Sequence, residues 1–164
     1  MKIRLRKTAE KDSEFYFYIR NHEWTRFNAR NQDIVPIEVH EDWFSKSLQN
    51  KERSMYVAED DCLEGDKRVG HIRFDLESYT EAEISIFVHP DFQSRGYGRE
   101  ILEEGMKRYL TEMKQVEKLI ACILPTNIRS LRLFQSRGFK KVGIDPKESR
   151  FEKYRLETHK NDTI

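Results

Sequence analysis

The segment Gln93-Ser94-Arg95-Gly96-Tyr97-Gly98-Arg99 sets two glycines one residue apart, with an arginine on either side. It follows an alternating apolar stretch and precedes a helical apolar stripe, so it reads as a strand, a turn and a helix start. Such a junction binds anions. The first N–H groups of a helix lack internal partners, and the helix dipole adds partial positive charge. Gly96 and Gly98 carry no Cβ, so a phosphate can approach the backbone closely, and Arg95 and Arg99 add charge at the rim. Three phosphate-bearing ligands come into question. A dinucleotide turn has G-x-G-x-x-G, but Ile101 stands at the third glycine position. A triphosphate loop ends in G-K-[ST], and neither Lys nor Ser/Thr follows Gly98. The third is the pyrophosphate of a carrier such as coenzyme A. The Gly-x-Gly turn alone does not choose among them.

The elements around the turn follow from hydrophobic period. Ile3 and Leu5 alternate with Lys2, Arg4 and Arg6 as a first strand, and Thr8 is placed to cap a helix through Phe15 to Ile19. Trp43, Phe44, Ser47 and Leu48 mark one face of a second helix. MYVAED and VGHIRFDLE form a strand pair across an acidic loop, Asp60 to Lys67. Ala82, Ile84, Ile86 and Val88 face one side of the next strand, and Glu83, Ser85, Phe87 and His89 the other. After the turn, Ile101, Leu102, Gly105, Met106, Tyr109 and Leu110 share a helical stripe. KLIACILP is a buried strand ended by Pro125. A short helix starts at Asn127 and stops at Gly138, and FKKVGI and RFEKYRLE close the chain as strands. The expected order is β-α-α-β-β-β-α-β-α-β-β, a mixed α/β domain over residues 1–164.

At 164 residues the chain makes one domain and buries roughly 70% of its unfolded surface without a metal or disulfide. The net charge of +1, at 36% charged residues, lacks the basic excess of a nucleic-acid binder. Cys122 reads as a buried thiol and Cys62 lies in the acidic loop; no His/Cys spacing indicates a metal. The start MKIRLRKT is no signal peptide, and the longest aliphatic run, LIACIL, is too short to span a bilayer. A cytoplasmic protein without membrane or nucleic-acid partners is expected.

Gln93-Ser94-Arg95-Gly96-Tyr97-Gly98 resembles the Q/R-x-x-G-x-G/A signature of the GCN5-related N-acetyltransferases, placed after an apolar strand that ends Val88-His89-Pro90. Asn127 and Leu133-Phe134-x-x-x-Gly138-Phe139 resemble that family's second signature, L-Y-x-x-x-G-F. The element order agrees over nearly the whole chain. The resemblance implies a central, mostly antiparallel sheet flanked by helices, with acetyl-coenzyme A as donor. The amides around Arg95 to Arg99, with Gln93 at the head of the signature, would hold the pyrophosphate. A splayed central strand at Phe87 and Val88 would receive the pantetheine arm, with Asn127 and Phe134 near the cofactor. A homodimer is compatible with the family, although no residue here indicates one.

Acetyl transfer needs a neutral amine, a stabilised oxyanion and a leaving thiolate. A lysine-like amine is protonated at neutral pH, with a pKa of ~10.4, so a carboxylate acting through water is the usual base. Glu83 is the candidate, with Glu81 and His89 behind it, and the backbone N–H of Val88 is the expected oxyanion donor. Many relatives carry a tyrosine where Phe134 stands and use its hydroxyl to protonate the thiolate. Phe134 cannot, which leaves Ser130, Tyr154, or departure of a thiolate whose acid has a pKa of only about 8.5.

The pattern Arg20-Asn21…Thr25-Arg26…Ile37-x-x-His40-x-x-Trp43-Phe44, with Gly70-x-x-Arg73-Phe74, resembles the branch that acetylates nucleotide-linked amino sugars. Arg26 and Arg30 would meet a diphosphate, His40 and Trp43 a ring, and Arg73 belongs to the same set. The primary reading is a small-molecule amine acceptor. A protein or peptide acceptor and a non-catalytic acyl-coenzyme A module are the alternatives.

Overall fold

The computed structural model describes residues 2–158. The sheet is continuous, in the order β1-β2-β3-β4-β5-β7-β6. Its strands are β1 (Ile3–Lys7), β2 (Arg53–Asp60), β3 (Arg68–Leu76), β4 (Glu81–Val88), β5 (Lys118–Ile123), β6 (Lys140–Ile144) and β7 (Glu152–Glu157). Every pairing is antiparallel except β4 with β5. The helices are α1 (Ser13–Asn21), α2 (Glu23–Phe27), α3 (Ile37–Gln49), α4 (Tyr97–Glu112) and α5 (Ile128–Gln135). The expected order therefore holds with one addition, the short α2. It is too brief for a periodic signal and is started by His22, whose Nδ1 accepts from Trp24 N at 3.3 Å. Thr8 does not cap α1. A 3-10 turn (Glu10–Asp12) intervenes, and the Thr8 hydroxyl instead meets Tyr16 OH at 2.8 Å.

Strand alternation sorts the core into two layers. On β2, Tyr56 and Ala58 face the larger cluster, while Met55 and Val57 face the smaller one. The larger cluster lies under α4, which buries Ile101, Leu102 and Tyr109 against Ile72 and Phe74; Phe74 and Tyr109 stack at 4.1 Å. Gly105 allows that approach, because a Cβ there would stand 2.6 Å from Ile72 Cδ1. The smaller cluster seats α1 and α3 on the opposite face through Phe15, Tyr16, Ile19 and Phe44. Both layers converge on β4.

Candidate active site

β4 and β5 pair in parallel only at Glu81–Lys118, Ala82–Leu119 and Glu83–Ile120, and then diverge. The backbone direction beyond that point follows from the antiparallel ladder to β3. Glu77 N donates to Glu81 O at 2.9 Å, and His89 N donates to Val69 O at 2.8 Å. Residues facing each other across such a ladder alternate between bonded and non-bonded pairs. Glu83, Ser85 and Phe87 therefore spend their main-chain groups on β3, while those of Ile84, Ile86 and Val88 point into the gap beside β5. The Val88 N–H, the expected oxyanion donor, is one of them. Phe87 differs from expectation. Its backbone is committed to β3, and only its side chain reaches the site, stacked on His71 at 4.6 Å.

The gap opens into a cavity of about 770 Å³, within the size range of ligand pockets. At one end lies the glycine turn. Ser94 (φ 61°) and Gly96 (φ 90°) both adopt left-handed backbone around Arg95, which folds successive N–H groups toward one side as an anion-binding nest. Gln93, Ser94, Gly96, Gly98 and Arg99 line the cavity. The Arg95 and Tyr97 side chains do not. Arg95 lies over the Phe92 ring at 5.7 Å, and the buried Tyr97 hydroxyl donates to Asp60 Oδ2 at 2.7 Å. Asp60 also accepts from Lys2 N and Cys62 N, each at 3.0 Å. Burial acts to raise its pKa, but these hydrogen bonds prevail and hold the carboxyl well below its ordinary range. Arg129 donates to Gln93 at 2.7 Å, linking the turn to α5. Asn127 starts α5 by accepting from Ser130 N at 3.2 Å, and both residues line the cavity.

Glu83, 8% exposed, lines the cavity from the last paired position of β4 with β5. Arg30 Nη2 lies 2.8 Å from Glu83 Oε1 and 2.8 Å from Asp145 Oδ2, and Lys147 Nζ lies 3.6 Å from Glu83 Oε2. Arg30, expected on a diphosphate, is thus held by carboxylates and fixes where the Glu83 oxygens point. Of the other base candidates, Glu81 pairs with Lys118 at 3.5 Å, and His89 stacks on Tyr18 and Phe15; neither lines the cavity. Phe134 does, edge-on to Phe139 at 5.0 Å. Tyr154 does not: its hydroxyl donates to Glu152 at 2.8 Å. The Cys122 thiol also lines the cavity, half-buried rather than fully so. Burial, with Glu83 and Asp145 nearby, pushes it up to about 12, so it is a neutral wall group at physiological pH.

The acceptor end is built by α1, α3 and β3. Tyr16 stacks on His71 at 3.8 Å; Arg20 follows Tyr16 by one helical turn, and Arg73 follows His71 on the same face of β3. All four line the cavity with Trp43. His40 is reached only at the wall. It is 1% exposed, and its Nε2 lies 3.1 Å from Ser13 Oγ and 2.9 Å from Ser13 O, a tie between α3 and α1. Arg26 lies off the cavity and donates to the carbonyls of Asn21 (3.3 Å) and Gln32 (3.1 Å), bracing the loop after α2. Tyr16, His71 and Trp24 carry no motif in the sequence, whereas Arg20 heads the acceptor pattern without a role attached to it. The spacings Tyr16/Arg20 and His71/Arg73 were the available signal, since each puts two polar or aromatic groups on one face.

Three histidines carry a pH consequence. Burial lowers the pKa of His71 well below its ordinary value, with Arg73 adding to the effect, and burial also lowers His40 and His89. A depressed folded pKa means that the unfolded chain binds these protons more readily. The stabilisation is complete above about pH 6.5 and is lost below it. The melting temperature is expected to fall between pH 7 and pH 5, and a higher value at pH 5 would contradict the burial of these rings. Among the described residues, no group of three His, Cys, Asp or Glu side chains is arranged to hold a metal ion, and no helix is long and apolar enough to cross a membrane.

Residues 2–140 match the model of the acetyltransferase (GNAT) domain. Over 111 residues the chain is 29% identical to the uncharacterized N-acetyltransferase YfmK of Bacillus subtilis, covering 68% of this chain and 70% of that one. A domain from Methanocaldococcus jannaschii superposes with a TM-score of 0.83 at 23% identity, covering 96% of this chain and 99% of that one. Spermidine N-acetyltransferase from Vibrio cholerae, solved with CoA and spermine, superposes with a TM-score of 0.80 at 17% identity, covering 94% and 93%. The splayed strands, the left-handed turn at the head of α4 and the matched family model lead to one conclusion: the chain belongs to the GNAT acetyltransferase family and is an acyltransferase that takes acetyl-coenzyme A as its donor.

Proposed function

We propose that the protein transfers the acetyl group to a primary amine of a small molecule, with a nucleotide-linked amino sugar as the favoured acceptor. The observation that carries this reading is the position of Glu83. It is the one acidic side chain among the described residues lining the cavity, and it sits where β4 and β5 begin to diverge. A carboxylate there can take the amine proton through water while the Val88 N–H meets the developing oxyanion. The pyrophosphate of the donor lies on the turn amides, with Arg99 beside them. Tyr16, Trp43 and His71 offer ring faces suited to a sugar or base. With Phe134 in place of a tyrosine, Ser130 rather than Tyr154 is the candidate hydroxyl that lines the cavity and can protonate the thiolate, and a thiolate of this pKa also leaves unaided.

Phe134 also motivates a second reading, a module that binds acyl-coenzyme A without turnover. Free thiol release separates the two. Incubation with acetyl-coenzyme A and UDP- or dTDP-linked amino sugars, polyamines, aminoglycosides and peptides is expected to release thiol with an amino sugar. Release with peptides alone would replace the small-molecule acceptor by a protein one. Donor binding with no release from any amine would support the non-catalytic module.

A further inference from the structure

The acceptor end of the cavity holds positive charge that the protein neutralises only in part. Glu83 is matched by Arg30 and Lys147, and Asp145 shares Arg30. Two guanidinium groups on the same wall are not matched in this way. Arg20 donates through Nη2 to the carbonyl of Asn31 at 2.8 Å, a neutral partner, and its Nη1, shielded from bulk water, has no hydrogen-bond partner. Among the described residues, no carboxylate lies within ion-pairing distance of Arg20. Arg73 contacts Asp75 through Nε at 2.8 Å, close enough for charge pairing but off-line for a hydrogen bond, and donates to Ser85 Oγ at 3.2 Å. Asp75 is shared with Arg53 at 2.5 Å, so one carboxylate serves two guanidinium groups. Burial opposes the charge on both Arg20 and Arg73, and neither has enough counter-charge to offset it.

The two groups flank one feature. Tyr16 and His71 stack face to face between α1 and β3, with Arg20 one turn beyond Tyr16 and Arg73 two residues beyond His71. Trp43 closes the wall, 5.9 Å below the Arg73 guanidinium. Partly buried cations with too little counter-charge are costly unless a ligand supplies the rest. A carboxylate or phosphate does so, and guanidinium binds both in a forked geometry. A polyamine would add like charge to the same wall.

We infer that Arg20 and Arg73 form an anion-recognising subsite, so that the acceptor is an amine bearing a carboxylate or phosphate, and polyamines are rejected. This inference rests on the acetyl-transfer reading and narrows it. It also moves anion recognition from Arg26 and Arg30, which the loop and the Glu83–Asp145 cluster occupy, to Arg20 and Arg73.

The test uses amines matched except for the anion: glucosamine against glucosamine 6-phosphate, and methionine against methioninamide, with spermidine as the cationic case. With the intact protein, kcat/KM is expected to be about tenfold or more higher for the anionic member of at least one pair, and the responding pair tells phosphate from carboxylate. A charge-assisted contact of this kind corresponds to about one to two factors of ten. Arg20→Gln should erase the preference by raising KM for the anionic amine alone, and Arg20→Lys should restore part of it. Equal rates within both pairs, preferential use of spermidine, or an Arg20→Gln effect equal on charged and neutral amines would overturn the subsite while leaving acetyl transfer intact. If no amine releases thiol, the acetyl-transfer reading fails, and binding then decides the subsite. Pyrophosphate titrated into the protein saturated with coenzyme A should bind, and Arg20→Gln should abolish that binding. No binding to the unmodified protein, or binding unchanged in Arg20→Gln, would overturn it.

Discussion

Glu83→Gln is expected to lower kcat by about 10²- to 10⁴-fold, the range set by loss of a positioned general base, with the affinity for coenzyme A within twofold of the unmodified protein. The two effects separate because Glu83 borders the donor gap without facing the turn that carries the phosphates. Glutamine preserves the size of the side chain and a hydrogen bond to Arg30, whose guanidinium lies 2.8 Å from the Glu83 carboxylate, so the wall keeps its shape while the proton acceptor is lost. The pH profile adds a second readout. If Glu83 moves the proton, the residual activity should rise with pH as the free amine becomes more abundant. Turnover within threefold of the unmodified protein would remove Glu83 from the reaction and leave it a wall residue in the Arg30–Asp145 cluster.

Gly70→Ala is the second large effect, and it acts through the backbone. Gly70 faces Val88 across the β3–β4 ladder. A Cβ at Gly70 would stand 2.3 Å from the carbonyl oxygen of Phe87 and 2.9 Å from Ile101 Cδ1. The nearer atom is main chain, so it cannot rotate away as a side chain could. The methyl would push the end of β4 from β3, at the residues whose other edge opens to the donor. Overpacking of this kind costs about 1–3 kcal/mol and occasionally more, which corresponds to a melting temperature lower by roughly 2–12 °C for a chain of this length. KM for acetyl-coenzyme A should rise with it. An unchanged melting temperature together with an unchanged KM would mean that β4 has freedom this packing does not show.

The donor half of the site was legible in the sequence because its parts are local. A strand, a turn and a helix start lie within twenty residues, and the period-two pattern of Ala82 to Val88 already assigns Glu83 to one face and Ile84 to the other. The same alternation, joined to two backbone hydrogen bonds, aims the Val88 N–H into the gap. The acceptor half was less legible because long-range pairs decide it. Arg30 reads in sequence as a diphosphate contact, but Asp145, 115 residues away, comes beside it. Tyr154 looked like an available hydroxyl, but it serves Glu152. Arg26 turned to the carbonyls of its own loop. His71 gave no motif and Arg20 only a place in the acceptor pattern, and their meaning comes from the stack that brings α1 onto β3.

Asp60 links three stretches of chain: the amide of Lys2 ahead of the first strand, the amide of Cys62 in the acidic loop and the Tyr97 hydroxyl at the head of α4. For anyone engineering this scaffold, that makes Asp60 a hidden address. A mutational library drawn as a sphere around the donor would omit a residue that never faces the ligand and sits 37 positions upstream of Tyr97. Grafting the turn onto another scaffold without its carboxylate would transplant the loop but leave its anchor behind.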